Sequence, residues 1–264
     1  MESSETYLKR IRAEDRKKDM SYEENVAIKT DEILKECGVT VIRKNDLDSQ
    51  NSGIDFIIDD PREMMLVDEK AAVSAYNRNL RTYTIETTNV CNPDESGWFN
   101  NKIAKNTHYL FVWPRSNDEK LKDIWRWEGM LIEKAILKSV FELMGFSKVE
   151  LEEIAKGARY TTKKGARYTI IHYGKKKGEA IKVFYNANHV EKNVNVQFPK
   201  EWLSHFASRH IIWERENGIV LNQFYRPEIP YFVQNACAKI RRAKRVKPNA
   251  CIQSITRAKD SENI

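Results

Sequence analysis

Two short apolar runs joined by a proline-containing turn constrain this chain more than any other feature. Residues 52–72 read SGIDFIIDDPREMMLVDEKAA. The runs Ile54–Ile58 and Met64–Val67 have the length of buried strands, and Asp-Asp-Pro-Arg-Glu between them supplies a turn, so the pattern predicts an antiparallel hairpin. Each run carries an acid where a strand core excludes one: Asp55 inside the first, Asp68 at the end of the second. An isolated buried carboxylate is very costly, so something must compensate both.

Strand alternation puts Asp68 and Lys70 on one face and turns Glu69 away. The hairpin can bring Asp55 beside Asp68, and two carboxylates that close raise each other's pKa unless a cation lies between them. A hard divalent ion, Mg²⁺ with Mn²⁺ as its substitute, meets that need, with Asp55, Asp68 and the backbone carbonyl of Glu69 as oxygen ligands. Lys70 then stands where it can orient a water and offset charge on a phosphorane-like transition state. The inert alternative is an ion pair at a sheet edge, with Lys70 holding the two aspartates and no metal. The acid-x-Lys tripeptide also occurs at Asp15–Lys17 and Asp118–Lys120. Only the middle copy leaves an apolar run and has an isolated acid on a neighbouring strand.

Around this hairpin the patterning predicts a helix from Ser21, with Ser21 as N-cap and Glu24 completing a capping box. Its inner stripe is Val26, Ala27, Thr30, Ile33, Leu34 and Cys37, and Gly38 ends it. Strands follow at VTVIRK, RTYTIETTNV and THYLFVWP, the last stopped by Pro114, and a long amphipathic helix spans 117–145. A helix, a run of strands and a helix suggest one sheet flanked by helices. Beyond Gly145 basic turns mix with aromatic strands, and VNVQFP, EWLSHFA and HIIWER read as strand, helix and strand.

Helix, strand, "GID" strand and "DEK" strand resemble the PD-(D/E)XK, or restriction-endonuclease-like, nucleases, the superfamily that includes archaeal Holliday-junction resolvases. The resemblance covers roughly residues 21–113. It implies that Asp55 and Asp68 bind metal, that Lys70 assists catalysis, and that a helical glutamate completes the site. Glu23 shares a face with Ala27, Thr30 and Leu34 and is preferred over Glu24, while Glu86 on a later strand is a third alternative. Ile54 stands where the family has proline, and Glu23 lies about one turn earlier than the family pattern.

The formal charge of +7 is unevenly divided: residues 1–150 carry 23 Lys and Arg against 28 acids, a net of −5, and residues 151–264 carry 22 against 10, a net of +12. That asymmetry points to a polyanion for the second half, with a plain solvated surface as the alternative. The candidate contacts are Lys163, Lys164, Lys175, Lys176 and Lys177 among tyrosines, and Arg241, Arg242, Lys244 and Arg245 near the end. The histidines show no ligand spacing in sequence, and there is no phosphate-binding GxxxxGK[ST] loop.

The resulting expectation is an α/β chain: a charged arm at 1–20, a nuclease-like domain with a central mixed sheet at 21–148, a basic α+β segment at 149–234 and a basic tail at 235–264. Its implied activity is Mg²⁺-dependent hydrolysis of phosphodiester bonds in DNA, with RNA not excluded as substrate and a homodimer open to it. Four scattered cysteines, a charged N-terminus and no long apolar run fit a cytoplasmic protein outside the membrane, or a nuclear one in a eukaryote. The rival readings are a catalytically silent nucleic-acid-binding protein on the same fold and an interaction protein of a phage or mobile element.

Overall fold

The computed structural model describes residues 21–61, 63–89, 98–101, 103–147, 149–151, 166–172, 175, 179–186, 193–225 and 228–246. The protein is α/β, and its chain forms two compact units that interleave along the sequence. Among the described residues, the first unit takes 21–80, Lys105–Glu133 and 207–225, and the second takes Arg81–Ala104, Lys134–Phe206 and 228–246. A single break near residue 148 has no counterpart in this partition, because strands far apart in sequence pair with one another.

The first unit is built on a seven-stranded mixed sheet. In chain order it contains β1 (Val41–Arg43), β2 (Phe56–Asp60), β3 (Glu63–Ala71), β5 (His108–Ser116), β6 (Ile124–Glu133), β10 (Ala207–Glu214) and β11 (Gly218–Phe224), and that is also their spatial order. Every pairing is antiparallel except β3 with β5.

Helix α1 covers one face of this sheet. Residues 21–36 are helical, and Val26, Ile33 and Leu34 pack with Phe56, Ile58, Met65, Val67, Leu110, Val112, Leu131 and Ile211 in one core. Gly38, at φ 73°, turns the chain out of the helix while the Val39 amide donates to the Leu34 carbonyl at 2.9 Å. That is the conformation glycine adopts most cheaply. The predicted inner stripe is therefore correct. Ser21 is already helical, however, so it is not the N-cap expected of it.

Three further expectations need correction. The segment 117–145 is not one helix but a loop, strand β6 and helix α3 (Lys134–Leu143). Strand β6 reads IWRWEGMLIE and is buried along most of its length. A central strand covered on both faces loses the two-residue alternation that would identify it. Within it the Trp127 ring lies over Gly129, where an added Cβ would come 2.0 Å from Trp127 Cη2.

Pro114 does not stop β5, which continues to Ser116. The Val112 carbonyl accepts from the Ala72 amide at 2.8 Å, so position 114, two residues on, faces the side on which β3 has already ended. The missing N–H therefore removes no ladder bond there.

The strand at RTYTIETTNV, β4 (Thr82–Asn89), belongs to a different sheet. It pairs with β9 (Asn193–Pro199), and the four-stranded order is β4, β9, β8 (Ala180–Asn186) and β7 (Ala166–His172). This sheet and the helices α3, α4 (Lys200–Phe206) and α5 (Tyr231–Val246) form the second unit. Its core includes Phe141, whose ring centre lies 4.5 Å from that of Phe99 and 5.1 Å from that of Phe198. Among the described residues no helix is long and apolar enough to cross a membrane.

Candidate active site

The β2–β3 hairpin is the element that assembles the site, all of it within the first unit. Phe56 stands opposite Val67 and Asp60 opposite Glu63, so the two strands run antiparallel as a hairpin. A short helix, α2 (Leu47–Asn51), leads into β2; Asp46 caps it by accepting from the Ser49 amide at 2.8 Å. Such a cap satisfies a helix donor that has no intrahelical partner. Asp55 then enters the ladder one step before β2 proper. Its amide donates to the Val67 carbonyl and its carbonyl accepts from the Lys44 amide, both at 2.9 Å. The Lys44 bond continues the β1–β2 register, while the bond to Val67, which already faces Phe56, steps out of the β2–β3 register as a bulge does and leaves Asp55 beside Asp68.

The two carboxylates sense each other and a shared cation. Oδ2 of Asp55 accepts from the Glu69 amide at 2.7 Å, while Oδ1 of Asp68 lies 2.6 Å from Lys70 Nζ. Burial raises the Asp68 carboxyl to about 7, with Lys70 opposing the shift and Asp55 adding to it. For Lys70, burial disfavours the charge, yet Asp68, Asp55 and Glu23 together hold the amine above its ordinary value. An exposed residue of α1, Glu23 is thus coupled electrostatically to this cluster. Glu24 is exposed on the same helix, and Glu86 lies on β4 of the second unit.

The side chain of Glu69 takes the opposite face, as strand alternation predicts. There it accepts from Thr30 Oγ1 at 2.5 Å and from Arg43 Nη1 at 2.7 Å. Arg43 also donates to Asp31 Oδ1 at 2.8 Å and to the Ala27 carbonyl at 2.9 Å, and Trp127 Nε1 donates to Thr30 Oγ1 at 3.1 Å. Burial raises the Glu69 carboxyl against the pull of Arg43 and Thr30. This network fastens α1 to β1, β3 and β6 behind the aspartates. Sequence reasoning missed it, because its members lie far apart in the chain.

Hard oxygen donors fit a hard divalent ion: a cation between Asp55 and Asp68 would relieve the repulsion that, with burial, lifts the Asp68 carboxyl. Mg²⁺ or Mn²⁺ would suit such donors, and the main-chain oxygen of Glu69 would be a further candidate ligand.

The third acid-x-Lys tripeptide is structural. Asp118 clamps the β5–β6 loop by accepting from the amides of Lys120 at 2.8 Å and Asp123 at 2.7 Å. The first, at Asp15–Lys17, lies outside the described residues, as do Lys163, Lys164, Lys176 and Lys177. Of the other basic candidates, Lys175 is exposed on a bend, and Arg241 and Arg242 are exposed on α5. Lys244 and Arg245 belong to the same helix, with side chains outside the description.

A second constellation escaped the sequence because its spacing is spatial rather than sequential. His108, Glu63 and Glu133 bring one ligand atom each to within 4.8 Å of the others. His210 also has an acid beside it, with Nε2 at 3.1 Å from Glu128 Oε1. Comparison with protein-family models, with curated proteins and with solved structures found no match to this chain.

Proposed function

We propose that this protein is a metal-dependent nuclease related to the PD-(D/E)XK enzymes, hydrolysing phosphodiester bonds in DNA. The observation that carries this reading is the convergence of Asp55, Asp68 and Lys70 on one hairpin, with Lys70 Nζ 2.6 Å from Asp68. Asp55, Asp68 and the Glu69 carbonyl would hold Mg²⁺, or Mn²⁺ in its place. A bound ion of this kind lowers the pKa of a water and offsets charge on a phosphate oxygen.

The chain's own residues do the rest. Glu69 fixes Asp55 through its amide, and the Arg43–Glu69–Thr30 network keeps β3 from shifting under load. Lys70 keeps its proton because acids surround it, so it can orient the attacking water and stabilise negative charge as the P–O bond to the leaving oxygen breaks. Glu23 is a positioning residue, acting through the charge of Lys70. The +12 of residues 151–264, with Lys175, Arg241 and Arg242 exposed, supports phosphate-backbone contact by the second half of the chain.

The close Lys70–Asp68 ion pair also favours a second reading, a silent nucleic-acid-binding protein in which Lys70 replaces the metal. Calorimetric titration with MgCl₂ and MnCl₂, run beside a plasmid-nicking assay, separates the two. Metal binding and nicking that both vanish in Asp68→Ala support the nuclease. Absence of both in the wild-type chain, with DNA present, overturns it in favour of the second reading.

A further inference from the structure

The face of the main sheet opposite to Asp68 holds a second cluster. Glu63 opens β3, His108 opens β5 and Glu133 closes β6. The register pairs His108 with Val67 on one side and with Glu133 on the other. Residues 63 and 67 share a face of β3 by strand alternation, so all three side chains rise from the same face of three adjacent strands. This is the face that also carries Val67 and Glu69, opposite to the one bearing Asp68 and Lys70. Along β3, Glu63 lies five residues, about 16 Å, from Asp68, while His108, level with Val67, is one step from the level of Asp68 and kept from it by the sheet itself.

His108 is the buried member, with a relative exposure of 3%. Its Nδ1 lies 2.9 Å from Thr107 Oγ1, which itself accepts from the Leu66 amide at 3.0 Å. Among the described residues its Nε2 has no hydrogen-bond partner. The nearest acid oxygen to it is Glu63 Oε1 at 4.0 Å, beyond hydrogen-bond reach. A buried imidazole nitrogen left in this way is costly, and native interiors rarely tolerate one. Its surroundings explain it once Nδ1–H donates to Thr107: the Nε2 lone pair then faces two carboxylates, which repels unless a cation stands between them.

We infer that Glu63, His108 and Glu133 form a second cation site, for a divalent first-row transition ion of which Zn²⁺ is the best match. Two carboxylates and a neutral imidazole balance a charge of +2. The imidazole sets the site apart from the all-oxygen environment that Mg²⁺ prefers, since histidine nitrogen suits zinc and its neighbours in the series. Three protein ligands leave a position for water, and the exposed Glu63 side chain, at 54%, opens that position to solvent. Ligands within 4.8 Å of one another need only a small inward movement of the carboxylates to reach bonds of about 2.0–2.2 Å. The Thr107 hydroxyl serves as the outer partner that fixes the tautomer and ring plane of a ligating histidine. Such an ion would pin β3, β5 and β6 together, whether or not the aspartate site binds metal.

The test uses the full chain carrying Asp55→Asn and Asp68→Asn, stripped with EDTA, so that the aspartate site cannot account for binding. ZnCl₂ is titrated by calorimetry, and CoCl₂ is followed by the visible absorption of the bound ion. One equivalent should bind and raise the melting temperature. Adding Glu63→Gln, an exposed change that leaves the core intact, should weaken binding at least about tenfold, with Glu133→Gln acting alike. His108→Gln should also change the cobalt spectrum by removing the nitrogen ligand. No bound equivalent, or equal affinity with and without the two glutamate changes, would overturn the inference.

Discussion

The Glu69 amide donates to Oδ2 of Asp55 at 2.7 Å, so the backbone between Asp68 and Lys70 holds the acid of the neighbouring strand. A side chain on one strand and a peptide group on the next thus form a single rigid piece. The same residue sends its carboxylate to the other face of the sheet, toward Arg43. The cluster and the network behind it meet at Glu69, and their separation by mutation is the basis of several expectations.

Asp55→Asn, Asp68→Asn and Lys70→Met should each lower cleavage at least about a hundredfold at saturating Mg²⁺. Circular dichroism and thermal melts should show the fold retained. Chelation of the wild-type protein should abolish nicking, and added Mg²⁺ or Mn²⁺ should restore it. Cleavage by Asp68→Asn at the wild-type rate would remove it from the site.

Glu23→Gln should reduce cleavage about tenfold, in the range of supporting residues around a metal centre. Glu24→Gln should leave the rate unchanged, because of these two neighbours it is Glu23 that ranks among the charges acting most on Lys70. Initial rates on supercoiled plasmid for the two variants, measured side by side, decide between the neighbours.

Arg43→Ala should cost about 3–5 kcal/mol of stability, since it leaves the buried Glu69 carboxylate without its cation. Arg43→Lys should recover only part of this, because a single ammonium cannot reach Asp31, Glu69 and the Ala27 carbonyl together. Urea denaturation measures both. By contrast, Glu69→Gln should spare Mg²⁺ affinity, as only the main chain of Glu69 is assigned to the ion.

Gly129→Ala should destabilise by about 1–3 kcal/mol, the usual cost of overpacking. The added methyl falls on the ring of Trp127, which is fully buried and tied to Thr30. A smaller side chain at 127 should recover part of the loss, and the double variant's melting temperature reports it.

Affinity for duplex DNA should fall steeply with salt. Reversing Arg241 and Arg242 to glutamate should reduce the slope of log K against log salt by about 0.9 for each phosphate the protein no longer neutralises. Fluorescence anisotropy at several salt concentrations gives the slope, and a response already flat in the wild type would mean that the basic charge is only surface.

The sequence made the hairpin legible because three local signals agreed: two short apolar runs, a proline turn and acids in positions a core rejects. Helix α1 was legible for a similar reason, its stripe repeating every three to four residues up to Gly38. Trp127 and its neighbours on β6 misled because a strand buried on both faces keeps no alternation, and its aromatic residues fit a helix as well. The fate of β4 was invisible, since its partner β9 begins at Asn193 and no local pattern records so distant a pairing. His108 was passed over on the same account: its neighbours come from two other strands.

The parallel pairing of β3 with β5 has a consequence for synthesis. The chain between them builds part of the second unit, and β6 receives its outer neighbour only when residues 207–214 emerge. Until then the apolar β6 stands as an open edge on the growing chain, ready to pair with another molecule. A gene truncated near residue 148 would make that condition permanent. Such a fragment should aggregate rather than behave as a minimal nuclease, so this protein resists being divided into modules, both by engineers and by recombination.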